Sequence, residues 1–306
     1  VIKVLGHKSP DTDSTGSPIV WSWYLNECRN KNSKAVLQGD PNNEAKFVLD
    51  YWGLELPEII EDLSDGEDVV IVDTNNVSEL PENIGNANII GIIDHHLLQG
   101  GLSTSTPIDV TVRPLACTAT IMLDLMGSEI IAWMPRSIKG VALSCILSDT
   151  LEFRSPTTTD HDRKVAENLA KELDIDISNY TAEMFAAKSD VSMFTDNQLI
   201  MIDSKMYDLD GKKLRISVLE TTTPSQVLDR TSSLLESLNA SAESENIDVV
   251  LMFVVDILNG NSTLFVPNEM VRTIAKSSFG VEGIGNTLEL PGIVSRKKQI
   301  IPNLKL

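Results

Sequence analysis

Three of the four histidines in this 306-residue chain stand with aspartates just after apolar runs of strand length. His7 belongs to Gly6-His7-Lys8-Ser9-Pro10-Asp11-Thr12-Asp13. Asp73 directly follows Val69 to Val72, and Asp94-His95-His96 directly follows Ile89 to Ile93. Imidazole nitrogens and carboxylate oxygens without thiolates suit a divalent first-row metal, Mn2+ or Co2+ rather than Mg2+. A single aspartate after a strand is ordinarily a turn or a cap. Here each group follows an apolar run of strand length, and the carboxyl ends of parallel strands share one edge where ligands bind. Segments far apart in sequence can therefore converge. Ser148-Asp149-Thr150, after Val141 to Leu147, is weaker, because Asp149 could simply end a helix. His161, between Asp160 and Asp162 at a helix start, reads as a solvated residue without function.

The elements that must position these groups alternate. Val1 to Leu5, Ala35 to Leu37, Val69 to Val72 and Ile89 to Ile93 read as strands buried on both faces of a parallel sheet. Helices are expected near Pro18 with Ser17 as cap, from Asn43 to Trp52 with a stop at Gly53, and over Thr118 to Met126, Ser137 to Leu147 and Asp160 to Leu173. This is an α/β pattern of the doubly wound kind. In the second half, Met206 to Leu209, Asp210-Gly211 and Leu214 to Leu219 read as a hairpin. Pro224 opens a helix to about Leu238. Val249 to Leu258 and Thr263 to Val266 flank a second hairpin turn. The expectation is a metal-binding domain over residues 1–188, a linker at about 189–192, and a smaller mixed α/β domain over 193–306.

The formal net charge of −19 disfavours nucleic acid and anionic membranes as main partners. A small anionic substrate stays open, since a metal reverses the local field. No apolar run has membrane-spanning length. No signal peptide is read, and Cys28, Cys117 and Cys145 are too few and too scattered for a disulfide framework, so a cytoplasmic location is expected. From Pro291 to Leu306 there are four basic residues and no acidic one. In so acidic a chain, Ser295-Arg296-Lys297-Lys298-Gln299 is either a basic surface tail or a phosphate clamp.

Taken in order, Gly6-His7-x-x-x-Asp11-x-Asp13, Val72-Asp73-Thr74-Asn75, Asp94-His95-His96, Ser148-Asp149-Thr150 and Ser295-Arg296-Lys297-Lys298-Gln299 resemble the motifs of the family II inorganic pyrophosphatases. These are the manganese-dependent members of the DHH phosphoesterase superfamily. The resemblance spans nearly the whole chain. It implies a DHH-type N-terminal domain and hydrolysis of pyrophosphate to two orthophosphates. It further implies that His7, Asp11 and Asp73 hold one metal and that Asp13, Asp73, His95 and Asp149 hold the second, with Asp73 shared. Mn2+ (or Co2+) would occupy both sites, with Mg2+ arriving on the substrate. His96 would touch the substrate and give a proton to the leaving phosphate, and Asp94 would orient a histidine. Lys205, Arg296 and Lys297 would grip the phosphates from the second domain, Lys212 or Lys213 being the alternatives to Lys205. A homodimer through the N-terminal domain is implied as well. Thr74 departs from the family, in which many members carry His after the shared aspartate.

With metals on one domain and cations on the other, closure of the two is expected to assemble the site. The competing readings are an exopolyphosphatase, another DHH phosphoesterase and a non-catalytic metal-dependent phosphate sensor. Phosphoesterases acting on nucleotides usually carry a Gly-Gly-Gly-His motif, but no histidine follows His161 here.

Overall fold

A computed structural model of the chain describes residues 1–209 and 211–306; Asp210, in the turn of the first expected hairpin, lies outside them. The chain divides into two compact units, Val1–Lys188 and Ser189–Leu306.

The first unit contains β1 (Ile2–Leu5), α1 (Thr12–Arg29), β2 (Ser33–Leu37), α2 (Asn43–Tyr51), β3 (Glu58–Ile59), β4 (Asp68–Val72), β5 (Asn88–Asp94), β6 (Asp109–Val112), α3 (Thr118–Met126), α4 (Ser128–Trp133), α5 (Arg136–Asp149), α6 (Asp160–Leu173) and α7 (Ile177–Lys188). Its six strands run in the order β3-β2-β1-β4-β5-β6, all neighbours parallel. The apolar runs of β1, β4 and β5 form the middle of this sheet. Leu5, Val36, Val69, Ile71, Ile89 and Ile92 are buried together with Ile60, Leu63, Leu80 and Ile84 from the connections. The edge strands β3 and β6 escaped the sequence reading because they are short and largely exposed, without an apolar run. Strand order reverses between β1 and β4, the switch point at whose carboxyl side a crevice opens. The segments after β1 and β4 are those carrying His7 to Asp13 and Asp73.

Two helix expectations need correction. α1 begins at Thr12, not near Pro18, and Asp11 is its cap, accepting from the Ser14 N–H at 2.9 Å. Pro18 lies inside the helix, where its missing N–H forfeits one backbone bond. The start was hidden because the first turns are buried yet polar: Thr12, Asp13, Ser14, Thr15 and Ser17 face inward, so apolar periodicity gives no signal there. In the second unit, the helix after Pro224 is two helices, α9 (Ser225–Leu228) and α10 (Thr231–Ser244), preceded by α8 (Asp196–Met201). The break falls at Arg230, whose guanidinium donates to the carbonyls of Val191 and Phe194 and pairs with Asp196.

The second unit is built on a five-stranded sheet in the order β11-β10-β9-β8-β7, with β7 (Ser204–Leu209), β8 (Lys212–Thr221), β9 (Val249–Asp256), β10 (Asn261–Phe265) and β11 (Thr287–Pro291). Among the described residues of this sheet, only β8 and β9 pair in parallel. Alternate residues of β9 face opposite sides. Val250, Met252 and Val254 pack with Leu234 and Leu238 of α10. Leu251, Phe253 and Val255 pack with Val271 and Ile274 of α11 (Glu269–Phe279). The chain closes with a π-helical turn at Arg296–Ile300 and α12 (Ile301–Asn303).

In the first unit, Gly140 of α5 lies flat against the Trp52 indole, where a Cβ would meet ring carbons at 2.1–2.4 Å. That indole is fixed by its N–H, within hydrogen-bond distance of the Tyr180 hydroxyl at 2.8 Å and of Ser144 Oγ at 3.1 Å. Gly140→Ala is therefore expected to destabilise the first unit by about 1–3 kcal/mol through overpacking, read as a lower urea midpoint by tryptophan fluorescence. An unchanged midpoint would contradict the packing described.

Candidate metal centre

Each expected ligand sits at the end or start of an element. His7 follows β1, Asp11 caps α1, Asp13 lies in the first turn of α1, Asp73 follows β4, His95 follows β5, which ends at Asp94, and Asp149 ends α5. Asp149 thus comes from a helix terminus and not from a strand. The helix stops there because Leu151, Glu152 and Phe153 all take left-handed φ of 48°, 52° and 68°, a conformation costing about 1–2 kcal/mol per residue. Asp73 is also left-handed, at φ 60°. Aspartate is one of the few side chains that visit this region readily.

The ligand atoms fall into three groups, each within 4.8 Å: His7, Asp11 and Asp73; Asp13, His95 and Asp149; and Asp73, His95 and His96. Asp73, only 1% exposed, is common to the first and third. Its Oδ2 lies 3.5 Å from His7 Nε2 and its Oδ1 lies 3.3 Å from His95 Nε2. His7 Nε2 is 3.7 Å from Asp11. The other ring nitrogens are committed to carbonyls: His7 Nδ1 is 2.7 Å from Lys8 O, and His95 Nδ1 is 3.2 Å from Leu115 O. An N–H is needed at those contacts, so in the neutral rings the Nε2 lone pairs face the carboxylates. His96 differs, being half exposed, with Nδ1 2.9 Å from Asp94 Oδ1.

Residues that the sequence reading left without roles hold this arrangement. The Thr118 N–H, at the start of α3, donates to Asp13 Oδ2 at 2.7 Å, and its hydroxyl donates to Asp73 Oδ1 at 3.1 Å. Ser17 donates to Asp13 Oδ1 at 2.5 Å. Asn75 donates to Asp94 Oδ2 at 2.5 Å and accepts from the Gln99 N–H at 2.5 Å, tying the two strand-end loops together. Asn75 stood in a quoted motif, but Thr118 and Ser17 offer no signal beyond helix-start chemistry. Thr74, the departure from the family pattern, is buried and donates to Glu79 at 2.7 Å. His161 pairs with Asp124 at 2.8 Å and belongs to none of the three groups.

Electrostatics favour a cation here. Burial, then the neighbouring Asp13 and Asp11 carboxylates, push Asp73 and Asp149 well above the usual carboxylate range. Asp149 Oδ2 is buried without a hydrogen-bond partner, and this carboxylate stands at the negative end of a helix dipole. Burial opposes the His7 charge, yet Asp11 and Asp73 lift the ring to about 9. Burial would raise Asp94, but the hydrogen bonds from His96 and Asn75 hold it below its ordinary value. The bond to Asp94 raises His96. Lone pairs of two imidazoles and oxygens of four carboxylates, one of them orphaned, fit two divalent ions better than protons.

In the second unit, Arg296 donates to the Asp203 carboxylate at 2.7 Å and to its carbonyl at 2.8 Å. Gln299 stitches the same segment, accepting from the Val294 and Ser295 N–H groups. Lys297 and Lys298 remain exposed, as does Lys205 on the edge strand β7. Lys212 is half-buried and Lys213 is exposed.

Residues 1–148 match the N-terminal domain of the DHH family, and residues 182–306 match the DHHA2 domain. A "Probable manganese-dependent inorganic pyrophosphatase" of Lactiplantibacillus plantarum is 34% identical over 302 residues, covering 98% of this chain and 96% of its own. The protein of the same description from Lactobacillus helveticus is 32% identical over 303 residues with the same coverage. The crystal structure of a candidate family II inorganic pyrophosphatase from Methanococcus jannaschii superposes with a TM-score of 0.63 at 33% identity, over 99% of this chain and 98% of that one.

The shifts fix a sign. His7, raised from 6.5 to about 9, stabilises the metal-free fold fully below 6.5 and loses that contribution as pH rises through 9. Asp73 and Asp149, also raised, act in the same direction. Chelated protein is therefore expected to lose thermal stability between pH 6.5 and 9, whereas Mn2+ removes the loss. Calorimetric titration at pH 7 in buffers of different ionisation enthalpy should register proton release on Mn2+ binding. A flat profile without proton release would contradict the charge balance described.

Proposed function

Because this chain belongs to the manganese-dependent inorganic pyrophosphatases of the DHH family, we propose that it hydrolyses inorganic pyrophosphate to two orthophosphates at a two-metal centre. The observation that carries this reading is the placement of Asp73, whose two oxygens face two different imidazoles. His7, Asp11 and Asp73 would hold one Mn2+, and Asp13, Asp73, His95 and Asp149 the other. Co2+ is the alternative ion, and Mg2+ would enter with the substrate. Such ions would supply Lewis acidity, lowering the pKa of a water toward neutrality and offsetting charge on the phosphoryl oxygens.

The chain's own residues supply the rest. Asp94, fixed by Asn75 and by the His95 and His96 N–H groups, favours the protonated form of His96 and aims its ring. His96 can then contact the substrate and give its proton to the leaving phosphate. Asp203 engages both terminal nitrogens of Arg296 through its carbonyl and its carboxylate, and the remaining N–H groups of the guanidinium would meet a phosphate oxygen. Lys205 and Lys297 add mobile point charges. The same proposal includes a homodimer through the first unit, consistent with the half-exposed Val110 on the edge strand β6.

Phosphate release from pyrophosphate, tripolyphosphate and a dinucleotide, compared in Mn2+ after chelation, tests the reading. Pyrophosphate is expected to react fastest. Equal rates on all three would overturn it, a preference for tripolyphosphate would make the protein an exopolyphosphatase, and binding without turnover would make it a sensor. Asp73→Asn should cost kcat at least about a thousandfold, whereas Asp94→Asn should cost about 10–100-fold because it acts only through His96. Lys297→Ala should mainly raise KM. Equal losses for Asp73→Asn and Asp94→Asn would contradict a shared ligand.

A further inference from the structure

Glu44, the second residue of α2, is a buried carboxylate that the mechanism above does not use; its side chain has 0% exposure. Its Oε1 accepts from Thr12 Oγ1 at 2.5 Å and from Ser148 Oγ. Lys188 Nζ lies 3.7 Å from that oxygen, and Oε2 is buried without a hydrogen-bond partner. Thr12 stands between Asp11 and Asp13, and Ser148 adjoins Asp149. One oxygen thus joins the start of α1 to the end of α5, the two places that bring Asp13 and Asp149 together.

Ordinary satisfaction of the hydroxyls does not require this. On α5, Ser144 donates to the Gly140 carbonyl, and just past its end Thr150 donates to the Ile146 carbonyl, each one turn back. Ser148 instead reaches across to another helix. Burying a further negative charge close to Asp13 and Asp149 is also unfavourable for a fold that needs only packing there. Lys188 offsets part of that cost.

We propose that Glu44 is a positioning residue for the metal centre: by holding Thr12 and Ser148 on one oxygen, it fixes Asp13 and Asp149 at the spacing at which both can serve one ion. The proposal rests on the metal-centre reading. Asp13 and Asp149 repel each other when ionised, and hydrogen bonds to neighbouring residues set ligand geometry in ways that govern affinity.

The test is Mn2+ binding to the full chain, by electron paramagnetic resonance of free Mn2+ and by calorimetry, with thermal unfolding in chelator measured alongside. Glu44→Ala and the double variant Thr12→Val/Ser148→Ala are expected to weaken one of two Mn2+ sites about 10–100-fold. Glu44→Gln, whose amide oxygen can still accept from both hydroxyls, should stay within about threefold of the parent. If the parent binds two Mn2+ and neither Glu44→Ala nor the double variant changes the affinity, the tether is refuted while the metal centre stands. Glu44→Gln as weak as Glu44→Ala would also refute it, since charge and not hydrogen bonding would then be at work. A parent that binds no Mn2+ would remove the reading beneath it. Should Glu44→Ala fail to fold, the double variant decides alone.

Discussion

Repulsion among Asp11, Asp13, Asp73 and Asp149 is the force that the first unit must contain. Burial is the leading cause that lifts Asp73 and Asp149, and neighbouring carboxylates add to it. The fold meets this with backbone dipoles where it can. Asp11 and Asp13 stand at the positive end of α1, and the Thr118 N–H at the start of α3 points at Asp13. At Asp149 it does the reverse, setting a carboxylate at the negative end of α5. The shared Asp73 occupies a left-handed backbone position at the switch point of the sheet. Protons relieve such a cluster in the metal-free chain, and a divalent cation would take their place.

Legibility in the sequence followed the type of signal. The central strands of the first sheet were plain because a strand buried on both faces is an unbroken apolar run. The groups at their ends were plain because histidine is rare in this chain. The edge strands β3 and β6 were missed, as was the start of α1, whose inward face is polar. That polar face turns Asp13, with Ser17 bonded to it, toward His95 and Asp149. Polar side chains that bridge distant segments, such as Thr118 and Glu44, carry no sequence signature, since their partners are defined only by the folded chain.

The second unit illustrates the same limit at the basic segment. Four cations near the C-terminus stood out against the acidic average, but their unequal status did not. Arg296 is held by Asp203, and Gln299 clamps the turn, while Lys297 and Lys298 extend into solvent. The spacing of the segment thus encodes a scaffold for two lysines as much as a row of charges. Asp203 precedes Lys205 by two residues, so one short stretch both anchors the arginine and offers a lysine of its own.

The scatter of the ligands along the chain bears on biosynthesis. His7 and Asp149 come from opposite ends of the first unit, and every pairing in its sheet is parallel. Parallel pairing has to await long crossovers, so these contacts form late and slowly. On the proposed assignment, a nascent chain emerging from the ribosome would present His7, Asp11 and Asp73 long before Asp149 is out. The two proposed sites would thus become available at different moments of synthesis.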